Sequence, residues 1–205
     1  MRAICAHAFL LAGIALVPPA NAQRPFEGQV TMQLTGESGT TIMETWIKPG
    51  KARMVMSAGG REFVMIADYE AATMLMVMPQ QQMVMEMPIP AEVTSGESTA
   101  KVTRTGRSDT VAGHRCEIIR VEDKGEIVEV CGATNMGRFV MGGPGRRGQP
   151  AWGKGLEGFF PLRVADEAGK VVLQVTKIER KAVADDQFRP PAGFRTMTMP
   201  SRSRT

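Results

Sequence analysis

The segment Met74-Leu75-Met76-Val77-Met78 is followed, after Pro79-Gln80-Gln81-Gln82, by Met83-Val84-Met85-Glu86-Met87. A period of two on both sides of a proline-started turn describes two strands of a β-hairpin, because successive side chains on a strand point to opposite faces. Strands joined by a four-residue turn pair position 78 with 83, 76 with 85 and 74 with 87. Met74, Met76, Met78, Met83, Met85 and Met87 then share one face. The other face carries Leu75, Val77 and Val84 with Glu86, a mixed surface suited to partial covering.

The same period recurs upstream. Phe26, Gly28, Val30, Met32 and Leu34 alternate with Glu27, Gln29, Thr31, Gln33 and Thr35, as in a half-buried antiparallel strand. Further β-type runs cover 40–48, 51–56, 62–67, 72–79, 82–87, 101–106, 115–121, 126–131, 161–166 and 170–177, with turns at Pro49-Gly50 and Gly59-Gly60. Ala52, Met54 and Met56 share a face of their strand, and Met54, Met56 and Met65 extend the sulfur-rich surface of the hairpin. About eleven closely spaced strands with no long helical pattern predict an all-β fold, a barrel or a strongly curved open antiparallel sheet. One or two covering helices are expected, at 88–98 and 134–140. The Gly- and Pro-rich stretch 142–150 reads as an exposed loop, and the basic, serine-rich 200–205 as a frayed tail.

Arg2, the apolar run 8–17, Pro18-Pro19 and Ala20-Asn21-Ala22 form a signal-peptide pattern with cleavage before Gln23. Residues 23–199 then make a single β-rich domain. Ten apolar residues fall short of the roughly 20 that a membrane-spanning helix needs. Cys5 precedes the apolar run, so no lipid anchor is expected. These features predict a periplasmic or secreted protein.

Export places Cys116 and Cys131 in an oxidising compartment, where two thiols of one small domain pair. They lie on β-type runs flanking Glu122-Asp123-Lys124-Gly125, and a register closing on Val121 and Glu126 sets them directly opposite each other. A one-residue slip would send them to opposite faces.

The chain has 2 histidines and 3 cysteines, and one of each, His7 and Cys5, lies in the removable segment. Few groups remain for nucleophilic or acid/base work, so an enzyme is not expected, and neither is a cofactor. Gly143-Pro144-Gly145-Arg146-Arg147-Gly148 matches G-x-G-x-x-G, but its prolines oppose the helix that a phosphate site requires. Gly96-Glu97-Ser98-Thr99-Ala100 falls one residue short of a nucleophile elbow and has only His114 as a base. His114 reads as a turn or surface imidazole. With 25 basic and 21 acidic residues the charge is nearly balanced, which argues against a nucleic-acid partner. Small basic clusters leave room for a weak attraction to an anionic membrane surface.

A methionine face has several uses. The residue is unbranched and polarisable, so it fills irregular cores and lines surfaces for varied apolar ligands. Plain core packing is one reading. A groove for a lipid or for a hydrophobic or lipidated peptide is a second, Cu(I) binding by soft thioethers a third, and sacrificial oxidation a fourth. No His, Cys or carboxylate metal site is expected.

Several segments taken together carry a family resemblance. They are Phe26-Glu27-Gly28, Gly50-Lys51-Ala52-Arg53-Met54, the Met-x-Met hairpin with Met78-Pro79, Val111-Ala112-Gly113-His114-Arg115-Cys116-Glu117 and Phe188-Arg189-Pro190-Pro191-Ala192-Gly193-Phe194. In order and spacing they resemble an exported bacterial family known as domain of unknown function forty-four-twelve, which looks related to lipoprotein-carrier half-barrels. The resemblance implies a curved half-barrel of about eleven antiparallel strands around covering helices and an apolar concavity. It implies no catalytic residues. The sequence reading is therefore a non-enzymatic, exported binding or carrier protein with a methionine-lined apolar face.

Overall fold

The computed structural model describes residues 25–198, apart from 38, 59, 90–99, 135, 138, 140–155 and 157. In chain order the strands are β1 (Gly28–Gly36), β2 (Gly39–Lys48), β3 (Lys51–Ala58), β4 (Arg61–Asp68), β5 (Thr73–Met78), β6 (Met83–Pro88), β7 (Lys101–Val111), β8 (His114–Asp123), β9 (Glu126–Ala133), β10 (Phe160–Asp166), β11 (Val171–Arg180) and β12 (Arg195–Thr198). They form one sheet in the order β12-β6-β5-β4-β3-β2-β1-β11-β10-β9-β8-β7. Neither end of that order pairs with another strand among the described residues, so the sheet is an open half-barrel and not a closed barrel. Every neighbouring pair is antiparallel except β12 on β6, which is parallel.

The fold class stands as read, with four differences. The twelfth strand, β12, is not among the expected ones. It has four residues and its partner β6 is over a hundred residues away, so no local periodicity announces it. Strand β7 runs on to Val111, past a register shift between Arg104 and Ser108 that surrounds Gly106. A bulge and basic side chains on this outermost strand are features that discourage edge-to-edge association.

The helix expected at 134–140 is not found among the described residues, where Thr134, Met136, Gly137 and Phe139 are irregular. Of 88–98, Pro88 ends β6, Ile89 is irregular and the rest lies outside the described residues. The signal-peptide, 142–150 loop and 200–205 tail readings also lie outside them. Helical structure among the described residues is limited to two 3-10 turns, Pro79–Gln81 and Asp185–Phe188.

The last correction is the cysteine register. β8 and β9 close on Asp123 and Glu126, around Lys124 and Gly125. Both turn residues have positive φ, 52° and 84°, as a tight two-residue hairpin turn demands. Cys131 therefore pairs with Ile118 and lies diagonal to Cys116. A shift of two residues preserves the face, so the disulfide forms all the same, with Cα atoms 5.3 Å apart.

The two faces of the sheet hold separate apolar clusters. The inner one includes Phe26, Val30, Met32, Met43, Met54 and Met65 and continues through β8 to β11. The outer one is Val64, Ile66, Val77 and Val84 beneath Val183 and Phe188, with Trp46, Val55, Leu75 and Phe194 at its margin. The chain after β11 thus straps the outer face, the covering that the mixed face of the hairpin suggested. Its start is pinned where the Val183 amide donates to Glu27 Oε1 at 2.8 Å. Further along, Lys48 pairs with Asp185, and Arg53 donates to Gln187 Oε1 at 3.1 Å.

The strap, the turn after β4 and the strands β7 and β11 gain acid sensitivity from ion pairs and hydrogen bonds of this kind. The Lys48 ammonium holds the Asp185 carboxyl below the usual carboxylate range. The backbone amide of Ala71, helped by Lys51, does the same for Asp68, as Arg163 does for Asp109 and Lys177 for Glu179. A carboxyl with a depressed folded pKa adds stability above its unfolded value and loses it as pH falls through the folded one. The urea midpoint is therefore expected to be level down to about pH 5 and to drop below about pH 4. A midpoint that stays constant to about pH 3 would contradict this assignment.

Candidate functional site

The register assembles the methionines into rows that run across the strands. One row passes from Thr45 in β2 through Met54, Met65, Met76 and Met85 to Met197 in β12. A second joins Met32, Met43 and Met56 and ends on Phe63. Met78 and Met83 pair at the same end of the face, and Met74 pairs with Met87 at the other. Twelve of the 16 methionines of the chain thus lie on the inner face of seven contiguous strands.

All nine methionines anticipated for this face are on it, and the 78/83, 76/85 and 74/87 pairing is observed. Met32, Met43 and Met197 join them without having been anticipated. Met32 is readable as an inward position of β1, but its place beside Met43 depends on the β1–β2 register. Met197 depends on the nonlocal pairing of β12 with β6.

Burial grades across the face. Met32, Met43, Met54, Met65, Met74 and Met87 are buried. Met56, Met76, Met78, Met83 and Met85 are half-buried. Met197 is 56% exposed and Phe63 38%. The buried part is covered by the protein itself: Met136 and Phe139 join the inner cluster, and a Cβ on Gly137 would approach Ile47 Cγ2 to 3.1 Å. With φ of 87°, Gly137 is also the residue that lets the chain turn there. The half-buried methionines of β5 and β6 and the exposed one of β12 form a continuous rim at the sheet's edge.

The opposite sides of the same strands give a control. The apolar residues facing outward on β2–β6 are Ile42, Trp46, Val55, Val64, Ile66, Leu75, Val77 and Val84, without a methionine. Strands favour β-branched side chains, and the outer face uses them. The inner face forgoes that preference on strand after strand. What methionine offers instead is a flexible chain that re-packs around variable apolar shapes, and a polarisable thioether.

Thr45 is the polar exception in this setting. It is buried between Val30 and Met54, and its Oγ1 has no hydrogen-bond partner among the described residues. His114 follows a tight turn at Ala112 and Gly113, with Nδ1 3.1 Å from the Ala112 carbonyl oxygen, as expected of a turn imidazole. Ser98 and the G-x-G-x-x-G segment lie outside the described residues. Among the described residues no three His, Cys, Asp or Glu side chains converge as a metal site.

The family model described as Domain of unknown function (DUF4412) matches residues 26–194. The chain belongs to this family. No curated protein matches it in sequence. Among solved structures, this DUF4412 chain is similar in fold to an uncharacterized conserved protein from Thermus thermophilus, at 13% identity and a TM-score of 0.54, covering 87% of this chain and 93% of that one. It is also similar to PNGF-II in its C2 crystal form, at 13% identity and a TM-score of 0.57, covering 86% of this chain. The matched region spans only 31% of the PNGF-II chain. At such identities the likeness concerns the fold alone.

Proposed function

We propose that this DUF4412 protein is a non-enzymatic, exported binding or carrier protein whose methionine face holds an apolar ligand, a lipid acyl chain or a hydrophobic or lipidated peptide. The observation that carries the reading is the asymmetry of the sheet. On β2–β6 methionine is confined to the inner face, and its rows run from a buried middle to a half-exposed rim on β5, β6 and β12. A core built only for stability has no need of methionine on one face of a strand and β-branched residues on the other. A surface that must receive a flexible guest does. The Cys116–Cys131 bridge supports location in the periplasm or outside the cell, where disulfides persist.

Native mass spectrometry of the protein, isolated from its own envelope without detergent, tests the proposal. A retained mass in the lipid or peptide range is the expected result. A bare protein that also fails to take up N-phenyl-1-naphthylamine, a neutral apolar probe, would overturn it. A stoichiometric Cu(I) adduct in place of an organic guest would reassign the face to thioether metal binding.

A further inference from the structure

The strands that build the methionine face also sort their charges. Strands β1–β6, β11 and β12 carry the carboxylates Glu44, Glu62, Asp68, Glu86 and Glu179. The register turns every one of them outward: Glu44 lies beside Val55, Glu86 beside Leu75, Asp68 beside Lys51, Glu62 beside Ser57 and Glu179 beside Gln29. The inner face of the same strands has three charged positions, Arg61, Arg180 and Arg195, all cationic. None of the three forms an ion pair with another described residue, whereas eight ion pairs are made elsewhere.

Two of these arginines stand at the end where the face opens. Arg195 pairs with Met83, which pairs with Met78. Arg61 lies one inward position beyond Phe63, the exposed end of the Met32-Met43-Met56 row. Along β5 and β6, burial falls toward the same end, from the buried Met74 and Met87 to the half-buried Met76, Met85, Met78 and Met83, the last beside Arg195. Arg180 stands at the opposite, closed end, with its guanidinium 5.1 Å from the Phe26 ring centroid. An apolar face that deepens away from unpaired guanidinium groups, with no inward carboxylate on its strands to repel an anion, is complementary to a molecule with an apolar tail and a negative head.

We infer that the guest of this face is an anionic lipid, its acyl chain on the methionines and its carboxylate or phosphate met by Arg61 and Arg195 at the open end. The inference rests on the apolar-ligand reading and deepens it. Displacement of N-phenyl-1-naphthylamine from the purified protein, below micelle-forming concentrations, separates the two. Oleate and oleoyl-lysophosphatidate are compared with oleyl alcohol, which has the same tail and no charge. The expected result is displacement by at least one of the anions at about tenfold lower concentration than by the alcohol, since hydrogen bonds to charged groups are the strong ones. Whether oleate, the lysophosphatidate or both show that preference assigns the head group as carboxylate or phosphate.

In the double variant Arg61→Gln, Arg195→Gln that preference is expected to vanish while probe uptake and the melting temperature stay unchanged, because both side chains are exposed. Arg180→Gln is expected to leave the preference intact. Equal displacement by all three lipids, or a preference that survives the double variant, would overturn the head-group assignment while leaving the apolar face standing. Failure of the probe to enter the wild-type protein would overturn both readings.

Discussion

Met43→Ala is expected to lower stability by about 2–5 kcal/mol, while Met43→Leu costs less than about 1.5 kcal/mol. Met43 is wholly buried between Met32 and Met56, so truncation removes the outer atoms of its side chain and leaves a cavity that close-packed neighbours refill only in part. At the rim the balance reverses. Met76 and Met85 pair with each other in half-buried positions, and Met76→Ser with Met85→Ser is expected to cost less stability than Met43→Ala and yet to abolish uptake of an apolar guest. Urea denaturation read by far-UV circular dichroism measures the stability of each, and titration with an apolar probe measures uptake. If the rim pair costs as much as Met43, the methionines act as one continuous core and the division between a packed middle and a receptive rim fails.

Removing the Cys116–Cys131 bridge is the second large effect. Its cysteines are 15 residues apart in sequence, and on the chain-entropy model opening a loop of that length costs about 3 kcal/mol. For a domain of this size that corresponds to a fall in melting temperature of about 6–12 °C. Cys116→Ala with Cys131→Ala, compared with wild type by differential scanning calorimetry, measures it. A loss below about 1 kcal/mol would mean that the β8–β9 hairpin is held by its tight Lys124-Gly125 turn and the sheet ladder without help from the bridge.

The β5–β6 hairpin is legible because everything that sets it is local: the alternation fixes the face and the Pro79–Gln81 turn fixes the register. The β8–β9 hairpin shows the limit of the same logic. Its alternation puts both cysteines on one face, but the expected closing pair is misplaced by two residues because Glu122 and Asp123 look like turn residues and instead extend β8. Strand order is less accessible still. Nothing local says that Met32 and Met43 continue the row of Met56 and Phe63, or that Met197 returns to lie beside Met85. The expected covering at 134–140 exists, as Met136 and Phe139 against the inner cluster, but in irregular chain whose glycine at 137 permits the approach to Ile47. The inward arginines escape a reading of the sequence for a related reason: an exposed cation at a strand end carries no signal until the register shows that every carboxylate on those strands faces the other way.

The most direct test of the central claim, that the methionine face receives an apolar guest, is a titration of N-phenyl-1-naphthylamine into wild-type protein and into the Met76→Ser, Met85→Ser variant, with folding of both verified by circular dichroism. Saturable uptake by the wild type and its loss in the folded variant is the predicted result. Equal uptake by both, or none by the wild type, would contradict the claim and leave the inner methionines as core.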